Sequence, residues 1–114
     1  MRSTQFVAEA SSNHGQSATR ALELVEAASS AGFDAVKFQL FTVSELYAPE
    51  ILAASSDHQV RQKWELQPSL IPELAARAKS LELEFSCTPF SLASVELLEP
   101  HLDFFKIASY ELIW

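Results

Sequence analysis

The hydrophobic positions of this chain change period several times, and each change marks an element. In "TQFVAEAS", residues 4–11, alternation places Val7, Glu9 and Ser11 on one face of an extended segment. Ala21, Leu24, Val25 and Ala28 then recur at i, i+3, i+4 and i+7, which predicts a helix, and Gly32 stands where it would stop. "DAVKFQLF", residues 34–41, returns to period two, with Val36, Phe38 and Leu40 on one side and Lys37 and Gln39 on the other. Residues 42–68 keep no steady period. Within them "PEILAASS" suits a short helix, while "DHQVRQKWELQP" fits a continued helix or a long loop. "IPELAARAKSLE" puts Ile71, Leu74, Ala75 and Ala78 on one stripe, with Pro72 in a first helical turn. "LEFSC" at 83–87 predicts a third strand ended by Pro89. "SLASVELLEP" at 91–100 predicts a short helix contributing Leu92, Val95 and Leu98, and "DFFKIAS" at 103–109 a fourth strand.

Strand and helix therefore alternate, the signature of an α/β fold with a parallel sheet covered by helices. Neither G-x-G-x-x-G after the first strand nor G-x-x-x-x-G-K occurs, so nothing supports a nucleotide-binding loop. Strands of a fully covered parallel sheet should read as almost unbroken hydrophobic runs. These do not: Glu9, Lys37 with Gln39, Thr88, and Lys106 with Ser109 fall on or just beyond successive strands. Polar groups at the carboxyl ends of several strands are the pattern of a TIM (β/α)8 barrel mouth.

Lys37 lies between Val36 and Phe38, and Lys106 between Phe105 and Ile107. A lysine so flanked must snorkel, pair with a carboxylate or face a wet pocket, because an unpaired buried ammonium is costly. Two of them on different strands suit one anionic ligand, to which the hydroxyls of Thr88 and Ser109 would add directed hydrogen bonds. Glu9 either pairs with a lysine or orients a hydroxyl or water. Gln39 is placed to bond a sugar hydroxyl or a neighbouring side chain. Asn13 and His14, in "SSNHG", read as a loop motif more than as metal ligands, and no metal ligand is assigned in this chain. Trp64 and Trp114 read as packing groups, and Glu111 as a possible extension of the polar rim.

Fifteen acidic against eight basic residues give a net charge of −7, which argues against nucleic acid as a partner without excluding a small anion in a local pocket. One cysteine, Cys87, permits no internal disulfide. No apolar stretch reaches membrane-spanning length and the first twenty residues lack a leader pattern, so the expected compartment is the cytoplasm.

Taken together, "VAEASSNHG", "DAVKFQLF", "SCTPF" and "FFKIASYEL" resemble, in order and spacing, the amino-terminal half of the sialic acid synthase family. The resemblance implies a (β/α)8 barrel of which residues 1–114 cover about the first four βα units. It further implies a carboxy-terminal half-barrel and a small antifreeze-like domain, neither of which is expected within residues 1–114. It implies condensation of phosphoenolpyruvate with an open-chain N-acyl amino sugar, such as N-acetylmannosamine, to an acid of the N-acetylneuraminate, legionaminate or pseudaminate kind, with release of phosphate. On the matching positions, Lys37, Thr88, Lys106 and Ser109 would hold phosphoenolpyruvate, and Glu9 and Gln39 would face the sugar and the reacting water. A divalent metal, Mn2+ or Mg2+, is implied with ligands beyond residue 114, with no organic cofactor, and a homodimer is implied for the full-length enzyme. The 114-residue chain alone is expected to be inactive. Alternatives from other classes are a non-catalytic half-barrel that binds an anion or self-assembles, and another phosphoenolpyruvate-dependent sugar-acid synthase. Two positions depart from the family pattern: Ser11, where glycine is common, and Leu40, where a hydroxyl residue is usual, and both are expected to reshape the pocket.

Overall fold

The order of strands across the sheet is the order of strands along the chain. A computed structural model describes residues 3–113. In it β1 (Val7–Ser11), β2 (Ala35–Leu40), β3 (Glu84–Pro89) and β4 (Phe104–Phe105) pair in parallel as β1-β2-β3-β4. Each connection crosses through helix: α1 (Ala18–Ser30) after β1, and α6 (Leu92–Leu98) after β3. The crossover after β2 is long, with three short helices, α2 (Val43–Leu46), α3 (Pro49–Ala54) and α4 (Ser56–Val60), two 3-10 turns, and α5 (Ile71–Ser80). These are successive βα units, the architecture that the alternating pattern implied.

Local chemistry accounts for the boundaries. Ser17 caps α1 by accepting from the Arg20 amide at 3.2 Å. At the other end Gly32 adopts φ +80, and the amides of Gly32 and Phe33 return to the carbonyls of Ser29 and Ala28. Two aspartates tie neighbouring strands at their starts. Asp34 donates its amide to the Phe6 carbonyl and accepts the Phe6 amide on Oδ2 at 2.7 Å. Asp103 does the same with Phe85, at 2.9 and 2.8 Å. In each case a lysine follows three residues later, so "DAVK" and "DFFK" are one device used twice.

The core fills the space between one sheet face and the helices. Val36, Phe38 and Leu40 of β2 meet Phe85 and Cys87 of β3, under Ala21, Val25 and Ala28 of α1 and Ile71, Leu74 and Ala78 of α5. Phe38 and Phe85 lie 6.1 Å apart, centroid to centroid. Leu40 therefore packs into this core, and only Ser11 of the two departing residues reaches a pocket.

Three expectations need correction. Leu92 is 84 % exposed, because α6 is only two turns long and turns Leu98, not Leu92, to the sheet. The fourth strand ends at Phe105 rather than continuing to 109; Pro89 closes β3 and has no N–H to give to a further rung, and a 3-10 turn takes over at Ser109–Glu111. Thr88 lies inside β3 rather than just beyond it. Trp114 lies outside the described residues.

Candidate active site

Strand register assembles the polar face. Glu9 of β1 stands beside Lys37 of β2, Lys37 beside Ser86 of β3, and Gln39 beside Thr88. These side chains point away from the helix-facing core, where a second sheet face carries them together. Lys37 Nζ lies 2.6 Å from Glu9 Oε2 and donates to Thr88 Oγ1 at 3.2 Å. Lys37 is 7 % exposed, whereas the Glu9 side chain is about half exposed. The lysine is thus both paired and at the edge of solvent, and one of its three N–H groups remains for a ligand. Because Thr88 accepts from Lys37, its own hydroxyl proton is free to be donated to an anion. Ser86, fully buried, instead gives its proton to the Phe104 carbonyl at 2.9 Å and holds β4 to β3.

The other sequence candidates are placed differently. Lys106 and Ser109 are exposed, and neither contacts Lys37 or Thr88 among the described residues. Phe104 pairs with Ser86, on the face of Lys37, so Lys106 follows on that face but beyond the ladder. Glu111 belongs to the 3-10 turn that follows, and is half-buried. Gln39 reaches a cavity of about 220 Å3 at the carboxyl ends of the strands.

Asn13 and His14 build the turn after β1. Asn13 Nδ2 donates to the Ala10 carbonyl at 3.1 Å. His14, 1 % exposed, accepts the Gln16 amide on Nδ1 at 2.9 Å, which leaves the ring proton on Nε2. That Nε2 has no hydrogen-bond partner among the described residues. Burial holds the His14 pKa below its ordinary value, as expected for a ring kept neutral. These bonds account for the shape of the turn. Burial also pushes the Cys87 thiol up to about 12, against a smaller opposing effect of the Lys37 charge, so the thiol is an inert core group.

Sequence reasoning missed the far wall of the cavity. Arg61 donates to the Tyr47 hydroxyl at 2.7 Å, and its guanidinium lies 5.7 Å from the Tyr47 ring centroid and 5.6 Å from that of Trp64. Trp64, read as a packing group, is 44 % exposed and lines the cavity. The signal was the cluster of Arg61 and Trp64 in a segment without periodicity, where no face could be assigned. Ser11 lines the same cavity at φ +51, beside the irregularity in the β1–β2 ladder. The left-handed region explains why glycine suits this position.

Among the described residues no group of three or more His, Cys, Asp or Glu side chains converges as a metal site. The same residues contain no helix long and apolar enough to cross a membrane.

Comparison with known proteins bears on this geometry. A family model described as NeuB family matches residues 24–114. N,N'-diacetyllegionaminic acid synthase of Campylobacter jejuni is 37 % identical over 123 residues, covering 98 % of this chain and 37 % of the relative. Pseudaminic acid synthase of Helicobacter pylori is 32 % identical over 120 residues, covering 96 % and 35 %. In structure, an N-acetylneuraminic acid (sialic acid) synthetase from Leptospira borgpetersenii superposes with a TM-score of 0.84 at 26 % identity, over 97 % of this chain and 38 % of that one. The spore coat polysaccharide biosynthesis protein SpsE of Bacillus subtilis superposes with a TM-score of 0.74 at 33 % identity, over 97 % and 31 %. The chain spans about a third of the length of these curated relatives.

Proposed function

The chain belongs to the NeuB family, and from that premise we propose that it is the amino-terminal part of a phosphoenolpyruvate-dependent synthase of sialic-type nine-carbon acids. The observation that carries the reading is the Lys37 corner: a nearly buried ammonium held between Glu9 and Thr88 on the face opposite the core. Such a group recognises a small anion, because a point charge with a free N–H and an adjacent hydroxyl donor offsets phosphate or carboxylate charge. The carboxyl-terminal half-barrel and the antifreeze-like domain belong to the same proposal, as do assembly as a homodimer and a cytoplasmic location.

In this reading Lys37 and Thr88 bind phosphoenolpyruvate, and Lys106 and Ser109 complete its site once further elements hold the segment after β4. C3 of phosphoenolpyruvate bonds to the aldehyde carbon of an open-chain N-acyl amino sugar. Water adds at C2, and the tetrahedral intermediate breaks its C2–O bond to release phosphate. Glu9 lies 2.6 Å from the ammonium and remains half exposed, so its carboxylate is placed to accept a proton from the water or a sugar hydroxyl. Gln39 faces the sugar. The divalent metal that the family resemblance implies finds no ligand set among the described residues, and no step here depends on one.

The test is a condensation assay with the full-length protein. Incubated with phosphoenolpyruvate and N-acyl amino sugars, it should release inorganic phosphate only when both substrates are present, with a product whose mass is that of the sugar plus pyruvate. Retention of the phosphate on the product identifies the alternative sugar-acid phosphate chemistry. Binding without turnover identifies a non-catalytic anion-binding protein.

A further inference from the structure

Beyond the anion corner, the 220 Å3 cavity has a composition that the binding of phosphoenolpyruvate leaves unexplained. It begins at Gln39, two residues past Lys37, hence about 7 Å along the strand. Its volume falls below the roughly 300–1,000 Å3 of pockets that enclose a whole ligand, so it accommodates one end of a molecule whose other end lies elsewhere. The lining contains no carboxylate, and Arg61 is its one formal charge, in a chain of net charge −7. Arg61 makes no ion pair among the described residues.

The guanidinium is nonetheless held. One N–H is spent on Tyr47 Oη, and the plane is flanked by the Tyr47 and Trp64 rings. A fork fixed in this way keeps its remaining N–H groups for an acceptor and loses little freedom when it binds one. Tyr110 adds a phenol to the same lining. Ser11 brings a hydroxyl to the same cavity from a left-handed backbone position, a conformation that costs free energy for a residue with a side chain. Aromatic walls, hydroxyls, an amide and one unpaired guanidinium describe a place for a polyhydroxylated chain bearing an acceptor-rich substituent.

We infer that Arg61 is a specificity-determining residue for the amino sugar. It donates to an N-acyl carbonyl of the open-chain sugar or to a phosphate at the C6 end of its chain. Tyr47 is its positioning residue. The inference rests on the synthase reading above and deepens it.

The experiment uses the full-length protein with phosphoenolpyruvate and, in parallel, N-acetylmannosamine, its 6-phosphate and a 2,4-diacetamido sugar. With whichever sugar the wild type turns over, Arg61→Gln should raise the sugar KM by about 10–100-fold, the loss of a hydrogen bond to a charged donor. The KM for phosphoenolpyruvate should stay within about twofold. A rise confined to the 6-phosphate assigns the acceptor as phosphate, and a rise shared by the unphosphorylated sugars assigns it as an acyl carbonyl. Tyr47→Phe should give a smaller rise in the same parameter with kcat unchanged. If Arg61→Gln fails to fold, Arg61→Lys reads the same quantity, because lysine keeps the charge and loses the planar fork. An unchanged sugar KM, or equal changes for both substrates, overturns the Arg61 inference while leaving the synthase reading intact. A wild type that turns over none of the sugars overturns both.

Discussion

Lys37 and Lys106 sit in nearly the same local sequence, D-x-x-K behind an apolar pair, yet the fold treats them oppositely. Lys37 lies on a strand with neighbours on both sides, so register alone brings Glu9 and Thr88 to it. Lys106 lies one residue past an edge strand whose ladder holds Phe104 and Phe105 only, and it is exposed. The difference teaches that register brings a lysine its partners where strands flank it on both sides; among the described residues β4 has a neighbour on one side only. The D-x-x-K pattern fixes the backbone at the strand start; the neighbours decide what the lysine does.

Stability measurements sharpen this contrast most. Phe38→Ala, beneath the Lys37 corner, should cost about 3–5 kcal/mol in chemical denaturation, the range for emptying a fully buried aromatic site. In the 114-residue chain Phe105→Ala should cost about 1 kcal/mol, because that ring is 38 % exposed there. Equal losses would break the comparison. Next in size, Asp103→Ala should cost about 1–3 kcal/mol, since it strands the Phe85 amide that the carboxylate now accepts; a loss below 0.5 kcal/mol, roughly the noise of a surface change, would show that water replaces it freely.

A smaller effect, of opposite sign, is expected at the end of β1. Ser11→Gly should stabilise the protein by about 1 kcal/mol by relieving the φ +51 backbone. If Ser11 serves the sugar cavity, the same substitution should raise the sugar KM, so that stability and affinity move in opposite directions. The least of the effects is one of pH. His14 has a folded pKa below the unfolded value of about 6.5, so its contribution to stability is complete above that pH and is lost as pH falls below it. His14→Phe should flatten that part of the stability profile, and an unchanged slope between pH 7 and 5 would exclude this buried ring as the cause.

Much of this was legible in the residues, for identifiable reasons. Period-two runs gave β1 and β2, and they put Lys37 and Gln39 on one face because alternation leaves no other choice; the apolar run "LEFSC" before Pro89 gave β3. Gly32 and Pro72 marked helix ends through backbone constraints that act locally. Within residues 42–68 the short helix expected at "PEILAASS" forms as α3, but the rest had no legible pattern because bonds distant in sequence organise it. The Val43 amide donates to Glu65 Oε1 at 2.7 Å, Gln59 reaches the Leu52 carbonyl, and Gln16 reaches the carbonyl of Gln62. Arg61 and Trp64 ride on that segment, so their place beside Gln39 had no periodic signature. For β4, the apolar run looked like a full strand, but a strand needs a ladder and Pro89 limits the one available. Leu92 misled for a simpler reason: a two-turn helix has too few residues for the stripe to fix which side faces the sheet.

The claim at the centre is that Lys37, with Thr88 beside it, holds phosphoenolpyruvate. Its most direct test is equilibrium binding of phosphoenolpyruvate to the full-length protein, wild type against Lys37→Met, with thermal unfolding as the control for folding. The account predicts binding at least about tenfold weaker in the variant, the loss of a charge-assisted hydrogen bond, with the unfolding temperature held. Wild-type affinity in a folded Lys37→Met protein would contradict it.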